Sequence, residues 1–440
     1  MAMSNPKQTT YIFIPGKNWK LSLAELATFF ETRNLRFQIP DLSKSFFTVE
    51  TEEPLNPSMI NDLGGTIKIG KALLSISLEL VKDAFLHRNK HAQAQIKTDL
   101  AEKLATTEFF QKPFKKLVFG VSLYFDDRHF LRSSKEMYRF IGNCFKEKLG
   151  SADIKAKFMG FPKDRRLPQL THVEVLKKSL IEESAEILFC ISNKQAFTAK
   201  TIAVHNPFEF QKRDINRPVQ RKIFSIPPRL AKIMVNLSLC SQGKTLLDPF
   251  CGVGTILQEA MLTKAQVMGV DINPWCVEAA HANLEWLKNQ YDLKEASHRI
   301  LSGDARHLSD QIPKETVDCI TTEPDLGPAL RHVPTESYAH KIINKMEPLF
   351  HDFLPQAYII LKNRGRLVLV TPYIRTRTGT FVSMNIQGHA RSVGFERVYP
   401  FEKTLFLDNS SFIADLRRTS SFVDMKKEHK IGREVHVFQK

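Results

Sequence analysis

Three aspartates of this sequence, Asp248, Asp271 and Asp304, each follow a short apolar segment with the length of a buried strand. A carboxylate at the carboxyl end of a strand can bind a cationic amino group or the sugar hydroxyls of a ligand that lies against the sheet. The separation between Asp248 and Asp271 is close to that in nucleotide-binding folds, where roughly 20 residues lie between the phosphate-binding turn and the acid that binds the ribose. A single aspartate at a strand end is more often a helix cap, but three in succession favour one shared ligand site.

The turn after the first of these strands is rich in glycine. A strand that ends at Asp248 is followed by a tight turn containing Gly252 and Gly254, and then by apolar residues at helical spacing. Glycines in such a turn let the backbone come close to a ligand. Strand, glycine turn and helix open the nucleotide-binding α/β folds, but Leu257 stands where the dinucleotide fingerprint needs its third glycine.

The motif Asp-Pro-Phe-x-Gly-x-Gly, which starts at Asp248, resembles the first motif of S-adenosylmethionine-dependent methyltransferases that act on exocyclic amino groups. The resemblance implies that Asp248 holds the cationic amino end of the cofactor, Asp271 the ribose hydroxyls and Asp304 the adenine amino group. Taken alone, the motif also allows Asp248 to be a helix cap and Phe250 a core residue. The expected cofactor-binding residues are Asp248, Phe250, Gly252, Gly254, Asp271, Ile272, Asp304 and Ala305.

A fourth strand, residues 317–322, leads into Glu323-Pro324-Asp325-Leu326-Gly327, where this resemblance places the catalytic motif. The related enzymes carry Asp-Pro-Pro-Tyr there, or Asn in enzymes that act on DNA. An aromatic amine is a poor nucleophile because its lone pair is delocalised into the ring. We expect the Glu323 carboxylate and the Pro324 carbonyl to accept its two hydrogens and to stabilise the positive charge that develops on nitrogen.

The match to this motif is partial, because Glu323 is one methylene longer than Asp and Asp325 replaces the second proline. Leu326 replaces the aromatic residue that stacks on an extruded base. We still expect Asp325, Leu326 and Gly327 to contact the substrate. An altered but active enzyme, and a loop that holds cofactor and RNA without catalysis, are both compatible with the motif. Candidates for the missing stacking are Tyr338, Tyr373 and Phe250.

The composition is that of an ordinary globular protein with a strongly basic balance. A net charge of +16 favours a polyanionic partner such as nucleic acid, with general solubility as the alternative. No apolar run reaches the roughly 20 residues that span a bilayer. The start of the chain lacks the pattern of a secretory signal, and the six cysteines show no zinc spacing. We therefore expect a cytoplasmic protein without a membrane anchor or a bound metal.

Hydrophobic patterning and proline content divide the chain into successive modules. The last module is expected to end in antiparallel closing strands near residues 394–399 and 412–416. The expected segments are a ferredoxin-like module (1–80), a second α/β module (81–208), a proline- and arginine-rich linker (209–235) and the catalytic domain (236–440).

Basic residues cluster at two places that suit a phosphate backbone. Lys155, Lys157 and Arg165 lie in the middle of the second module, whereas Arg375 and Arg377 follow the fifth strand of the catalytic domain. Beside the methyltransferase motifs, a phosphate-binding surface is the favoured interpretation of the first cluster. For the two arginines, phosphate contact and a solvated loop are equally compatible with the sequence.

The order of these modules resembles the THUMP-domain tRNA guanine N2-methyltransferases, which modify guanine at position ten of tRNA. The resemblance covers most of the chain and implies an α/β protein: a Rossmann-like class I methyltransferase domain preceded by ferredoxin-like and THUMP-like α+β modules. It further implies S-adenosyl-L-methionine as cofactor and tRNA as partner. A small accessory protein is left open, and a monomer or weak dimer is expected. The stretches that carry the resemblance are YIFIPGKNWKLSLAEL, DLGGTIKIGK, DINRPVQRKIFSIPPRLAKIMVNLS, DPFCGVGTILQEA and VMGVDINPWCVEAAHANL.

Two other functions remain open at this point. A DNA amino-methyltransferase would use the same catalytic fold on adenine N6 or cytosine N4, although the THUMP-like half argues against it. A catalytically inactive relative that only binds RNA is the second alternative, because the Glu-Pro-Asp-Leu motif departs from the family pattern.

Overall fold

A computed structural model describes residues 8–105, 117–161, 169–182, 184–221, 225–402, 405–406 and 411–440. The described chain folds around two sheets, one in each half of the sequence. Within these ranges, no helix combines the length and the apolar character needed to cross a membrane.

The first sheet contains eight strands in the order β2-β3-β1-β4-β8-β7-β5-β6. The long strand β4 pairs antiparallel with β8 and so joins the two sequence-predicted N-terminal modules into one continuous sheet. The boundary near residue 80 stays a prediction, and it falls within the helix that follows β4. The strands are β1 (Thr9–Pro15), β2 (Phe37–Gln38), β3 (Phe47–Thr51), β4 (Thr66–Ser77), β5 (Leu117–Phe125), β6 (Ala156–Phe158), β7 (Ala185–Ile191) and β8 (Gln195–Val204).

In the described part of the N-terminal half, six helices accompany this sheet: α1 (Trp19–Thr32), α2 (Leu78–Phe85), α3 (Lys90–Ala105), α4 (His129–Ser151), α5 (His172–Lys177) and α6 (Pro207–Ile215). A 3₁₀ helix covers Pro57–Asp62.

A buried ion pair lies inside this first sheet. Lys68 and Glu186 form the pair, and their side chains are 1% and 0% exposed. Lys68 Nζ also donates to the Leu170 carbonyl at 2.7 Å, while Glu186 accepts from Ser122 at 2.6 Å and from Thr201 at 2.7 Å. The charges are therefore surrounded by hydrogen-bond partners, which a buried pair requires.

The second sheet runs β11-β10-β9-β12-β13-β17-β15, with β14 paired to β13 and β16 paired to β17. The first five strands of this order are parallel, and β17 is antiparallel to β13. This is the Rossmann-like arrangement expected from the sequence. The strands are β9 (Thr245–Asp248), β10 (Gln266–Asp271), β11 (His298–Ser302), β12 (Val317–Thr322), β13 (Leu361–Arg375), β14 (Phe381–Ser383), β15 (Glu396–Arg397), β16 (Ser421–Asp424) and β17 (Ile431–Gln439).

The helices of this half are α7 (Pro228–Leu237), α8 (Thr255–Met261), α9 (Pro274–Gln290), α10 (Glu336–Ile360), α11 (Ile386–Val393) and α12 (Ser411–Arg417), with a 3₁₀ helix at Ala305–Asp310. The prediction of a closing strand around residues 412–416 is wrong, because α12 covers this segment. Ile413 and Leu416 are both buried, and their separation of three residues is a helical spacing. The closing strand predicted near residues 394–399 is confirmed as β15, which pairs antiparallel with β17, and β16 pairs with β17 as well.

The segment of chain between the two sheets forms helices that pack against both halves of the protein. Pro228 occupies the first turn of α7, where proline is favoured because its missing N–H group would have no helical partner. This helix packs between α1 of the N-terminal half and α8 of the C-terminal half. Leu230 and Met234 bring α7 into one hydrophobic core that both halves share.

Polar contacts fix the same interface. The buried Glu25 carboxylate accepts hydrogen bonds from Asn236 Nδ2 at 2.8 Å and from the Gly64 amide at 2.7 Å. Arg366 on β13 forms an ion pair with Glu31 on α1 at 3.1 Å. The N-terminal half is therefore held at a fixed place relative to the C-terminal sheet.

Candidate active site

Four acidic residues lie along one edge of the second sheet. Asp248 and Asp271 are the last residues of β9 and β10, Glu323 directly follows β12, and Asp304 lies just beyond β11. These strands are neighbours in the order β11-β10-β9-β12, so their carboxyl ends form a continuous row. Successive strands are added on one side of β9 up to β11 and then on its other side from β12. This reversal of strand order between β9 and β12 marks the topological switch point where ligands bind in open α/β sheets.

The glycine turn leaves open space beside this row. Gly252 has φ +51° and Gly254 has φ +84°, in the region that glycine adopts most readily. The Gly252 amide donates to Asp271 Oδ2 at 2.8 Å. A Cβ placed on Gly252 would meet no atom within 4 Å, whereas one on Gly254 would touch Ala280 at 3.4 Å. The absence of a side chain at Gly254 therefore lets the turn pack closely against α9. Gly252 borders open space that a ligand could occupy.

Asp248 is 2% exposed and sits at the centre of the row. Its Oδ1 atom accepts from Thr322 Oγ1 at 2.6 Å and from the Phe250 amide at 3.2 Å. Burial raises the pKa of Asp248 to about 7, and the neighbouring Asp271 and Glu323 carboxylates add to the rise. Within the described ranges no lysine or arginine forms an ion pair with Asp248. Such a carboxylate is suited to a ligand that brings its own positive charge.

Asp271 also accepts a hydrogen bond from the Asn273 amide at 2.9 Å, at the start of α9. Ile272 follows it and is 69% exposed, so its side chain is available to cover a flat ring. Asp304 caps the 3₁₀ helix and pairs with the Arg306 side chain at 2.6 Å. That hydrogen bond lowers the pKa of Asp304, and Ala305 beside it is buried.

Glu323 is held by a cation that sequence reasoning missed. Arg433 on β17 donates from Nε to Glu323 Oε2 at 2.5 Å and from Nη2 to Oε1 at 3.0 Å. Burial raises the pKa of Glu323, and the Arg433 guanidinium counters part of this rise. The two residues are 110 positions apart, so no local pattern could have shown the pair. A bidentate arginine fixes both oxygens of a carboxylate and leaves each of them a lone pair for a second donor.

The rest of the catalytic motif turns partly inward. Pro324 is buried, and Leu326 is 9% exposed and packs into the hydrophobic core that both halves share. Neither side chain therefore offers a surface to solvent or to a ligand. Asp325 is exposed and accepts from the Gly327 amide at 3.0 Å. Gly327 has φ +100°, and a Cβ there would approach Ile342 to 3.0 Å, which explains the glycine.

The three aromatic candidates for stacking differ in accessibility. Tyr338 is 49% exposed at the start of α10. Tyr373 stacks on Phe381 with ring centroids 4.7 Å apart, and Phe381 is itself 46% exposed. Phe250 meets Phe353 edge to face and is packed against the core. Tyr338 and Phe381 are therefore the more accessible aromatic surfaces.

The basic candidates fall into two groups. Arg375 ends β13, and its backbone N–H donates to the Lys430 carbonyl at 3.0 Å, while the exposed Arg377 donates from Nε to the Val333 carbonyl at 3.0 Å. Both therefore lie at the carboxyl end of β13, at the same edge of the sheet as the acidic row. Lys155 and Lys157 are exposed on or beside β6, at the outer edge of the first sheet. Arg165 lies outside the described residues.

A buried arginine between the halves was also missed. Arg217 donates from Nη1 to Thr255 Oγ1 at 2.6 Å and from Nη2 to Ser225 Oγ at 3.1 Å. The Ser225 carbonyl accepts from Arg433 Nη2 at 3.5 Å. The connecting segment thus contacts both the helix after the glycine turn and the arginine that holds Glu323. Arg217 belongs to the linker stretch that carries the family resemblance, which is the signal that could have identified it.

Within the described ranges, no cluster of three histidine, cysteine, aspartate or glutamate side chains is arranged to hold a metal ion.

Comparison with known proteins supports a methyltransferase fold. Residues 217–392 match the family model described as RMKL-like, methyltransferase domain, and residues 89–282 match a model described as DNA methylase. The tRNA (guanine(10)-N2)-dimethyltransferase of Methanothermobacter thermautotrophicus is 35% identical over 160 residues, which cover 36% of this chain and 42% of that protein. The enzyme of the same name from Pyrococcus abyssi is 32% identical over 164 residues, covering 37% and 44%. The chain thus matches less than half the length of these relatives.

TrmN from Thermus thermophilus, a solved structure, aligns over 99% of this chain and 100% of its own, with 16% identity and a TM-score of 0.52. This likeness concerns the fold. The chain therefore has a Rossmann-like α/β methyltransferase fold, and its residues 217–392 are similar to the RMKL-like methyltransferase domain.

Proposed function

We propose that this protein is an S-adenosyl-L-methionine-dependent methyltransferase that modifies the exocyclic N2 amino group of a guanosine in tRNA, with position 10 as the expected nucleotide. The observation that carries the proposal is Glu323, a carboxylate fixed at the end of β12 beside Asp248 and the glycine turn. The names of the two similar proteins supply the substrate class.

The residues of the acidic row fit this cofactor. Asp248, buried and without a cation, would bind its ammonium group, and ion pairing would return the carboxyl to its charged form. Asp271 would accept from the ribose hydroxyls, and Ile272 would cover the adenine ring. Asp304 and Ala305 would border the adenine edge. The bound cofactor supplies an electrophilic methyl group on its sulfonium.

Glu323 and Pro324 would act on the guanine amino group. Each oxygen of Glu323 has a lone pair beyond the one that Arg433 uses, so the carboxylate can accept an amino hydrogen without leaving its partner. The Pro324 carbonyl would accept the second hydrogen. Together they hold the nitrogen lone pair toward the methyl group and stabilise the positive charge that develops on nitrogen. Arg433 sets the direction of the longer glutamate side chain.

The N-terminal half would dock tRNA through its basic surface, with Lys155, Lys157 and Arg165 as phosphate contacts in a THUMP-like module. Arg375, Arg377 and the exposed Asp325 would contact the substrate near the catalytic edge. We further propose a cytoplasmic location and a monomer or weak dimer, with or without a small accessory protein.

The DNA methylase model that matches residues 89–282 favours a second candidate, an amino-methyltransferase acting on DNA. That match ends before Glu323, so it does not include the catalytic motif. The buried Leu326 favours a third candidate, an RNA-binding protein without catalysis, because it offers no surface to an extruded base.

One assay separates the three candidates. The protein is incubated with methyl-labelled cofactor and, in parallel, with unmodified tRNA or with duplex DNA, and the labelled nucleosides are identified by mass spectrometry. The proposal predicts N2-methylguanosine or N2,N2-dimethylguanosine from tRNA. Label only in DNA supports the second candidate. Cofactor binding in calorimetry without label in either polymer supports the third.

A further inference from the structure

A basic cleft opens between the two halves of the protein on the side of the acidic row. Its volume is about 650 Å³, within the ~300–1,000 Å³ of pockets that hold ligands. One wall is the turn between β1 and α1, and the other is the turn between β16 and β17. Asn18 Nδ2 donates to the Val423 carbonyl at 2.9 Å and ties the two walls together.

Lysines line both walls of this cleft. Lys17 and Lys20 come from the first wall, and Lys426 and Lys427 from the second. The acids Asp424 and Glu428 offset part of this charge, but four ammonium groups outnumber two carboxylates. Within the described ranges, Lys17, Lys426 and Lys427 form no ion pair of their own. The cleft therefore keeps a positive charge that suits an anionic ligand.

The cleft adjoins the proposed catalytic carboxylate. Asp424 lies directly opposite Arg433 in the β16–β17 pairing, and Arg433 holds Glu323. Asp424 is also close enough to Glu323 to contribute to the raised pKa of that residue. A chain that enters the active site from this side must pass the two lysine-bearing turns.

The indole of Trp19 forms part of the wall among these lysines, with Lys20 Nζ 5.9 Å from its ring centroid. Lysines bind the phosphates of a nucleic acid whatever its nucleotide sequence. Aromatic side chains placed among such lysines provide surfaces on which unstacked bases can lie.

We infer that this cleft binds the RNA backbone next to the target guanosine, with Lys17, Lys20, Lys426 and Lys427 contacting phosphates. The inference rests on the proposed function and adds a substrate contact that lies outside the catalytic motif and the basic cluster at Lys155. An extruded guanosine is rotated about its backbone out of the stack, and a cleft beside the catalytic edge is placed to hold the phosphates on either side of it.

The test measures binding of a fluorescently labelled, unmodified tRNA transcript by anisotropy at salt concentrations from 50 to 200 mM. The variant is the double substitution Lys426→Ala and Lys427→Ala, which removes two exposed side chains from a hairpin turn. The matched control is Lys294→Ala with Lys314→Ala, two exposed lysines on loops at the opposite edge of the same sheet. Both variants lose the same net charge.

Losing two phosphate contacts to single-stranded RNA should lower the slope of log affinity against log salt by about 1.4. The affinity advantage of the wild-type protein should then shrink about sevenfold between 50 and 200 mM salt. The control should keep the wild-type slope, and cofactor affinity should be unchanged in both variants. An unaltered slope in the cleft variant, an equal change in the control, or an equal change with duplex DNA would overturn the inference.

This binding readout needs no methyl transfer. If the protein transfers no methyl group but the cleft variant alone loses salt-dependent tRNA binding, the proposed function fails while the cleft assignment stands. If methyl transfer to tRNA is intact and the slope does not change, the cleft assignment fails and the proposed function stands.

Discussion

Replacing Asp248 with asparagine should stabilise the free protein while it weakens cofactor binding, and the gain in stability should grow with pH. The carboxyl group is buried, and its pKa of about 7 arises chiefly from that burial, with Asp271 and Glu323 nearby. Asparagine keeps the size of the side chain and an oxygen that can accept from Thr322, but it carries no charge.

The direction of the pH dependence follows from proton linkage. The folded pKa of Asp248, about 7, lies above the ordinary value of 3.8. The contribution of this group is therefore most favourable below pH 3.8 and is lost as the pH rises through the folded value. At about 1.4 kcal/mol per pKa unit, the raised pKa lowers the unfolding free energy by about 2 kcal/mol at pH 5, where the folded carboxyl is still protonated, and by about 4 kcal/mol at pH 8, where it is charged.

Urea denaturation without cofactor, at pH 5 and pH 8, measures this difference directly. Asp248→Asn should exceed the wild-type protein in stability by roughly 2 to 3 kcal/mol more at pH 8 than at pH 5. Asp310→Asn, an exposed carboxylate near the same sheet edge, serves as control and should show no such trend. Calorimetry at pH 8 should show weaker cofactor binding for Asp248→Asn. A stability difference that does not change with pH, or an unchanged cofactor affinity, would refute the assigned role.

Four further substitutions test other parts of the structure. Asp271→Ala should weaken cofactor binding by roughly 10- to 100-fold in calorimetry, since it removes a charge-assisted hydrogen bond, and unchanged affinity would exclude it from the cofactor site. Glu323→Ala should lower kcat by about 10²- to 10³-fold with cofactor affinity retained; an unchanged single-turnover rate means that the catalytic assignment is wrong. Arg433→Lys keeps a charge but loses the bidentate geometry, so kcat should fall, whereas a change confined to KM for tRNA contradicts a role in orienting Glu323. Lys68→Met should cost about 3–5 kcal/mol in urea denaturation because Glu186 stays buried without its cation, and a loss below about 1 kcal/mol would show that the pair does not stabilise the sheet.

The sequence predicted those parts of the catalytic half that depend on local patterns. Asp248 and Asp271 end their strands as expected, since short apolar runs and glycine turns mark such boundaries within a few residues. The Rossmann-like fold is confirmed by the strand order and by the likeness to TrmN. The segment at α12 misled because a short apolar run does not distinguish a strand from a buried helix.

Contacts between distant parts of the chain could not be predicted in this way. The pair of Glu323 with Arg433 joins the end of one strand to another strand far along the sequence. The pairing of β4 with β8, which makes one sheet of the two predicted N-terminal modules, likewise depends on tertiary packing. Arg306 is close in sequence to Asp304, but its ion pair depends on a side-chain rotamer that the sequence does not specify. The roles assigned to the site residues stay predictions.

The chemistry proposed for the acidic row is tested most directly by removing one amino group from the substrate. A tRNA transcript is prepared with inosine in place of the guanosine that the protein modifies, since inosine lacks the N2 amino group and keeps the rest of the base. Single-turnover assays with methyl-labelled cofactor then compare the two transcripts at equal occupancy. We predict that the inosine transcript binds as well as the guanosine transcript and receives no methyl group at that position. Methylation of the inosine at an unchanged rate would contradict amino-group transfer at Glu323.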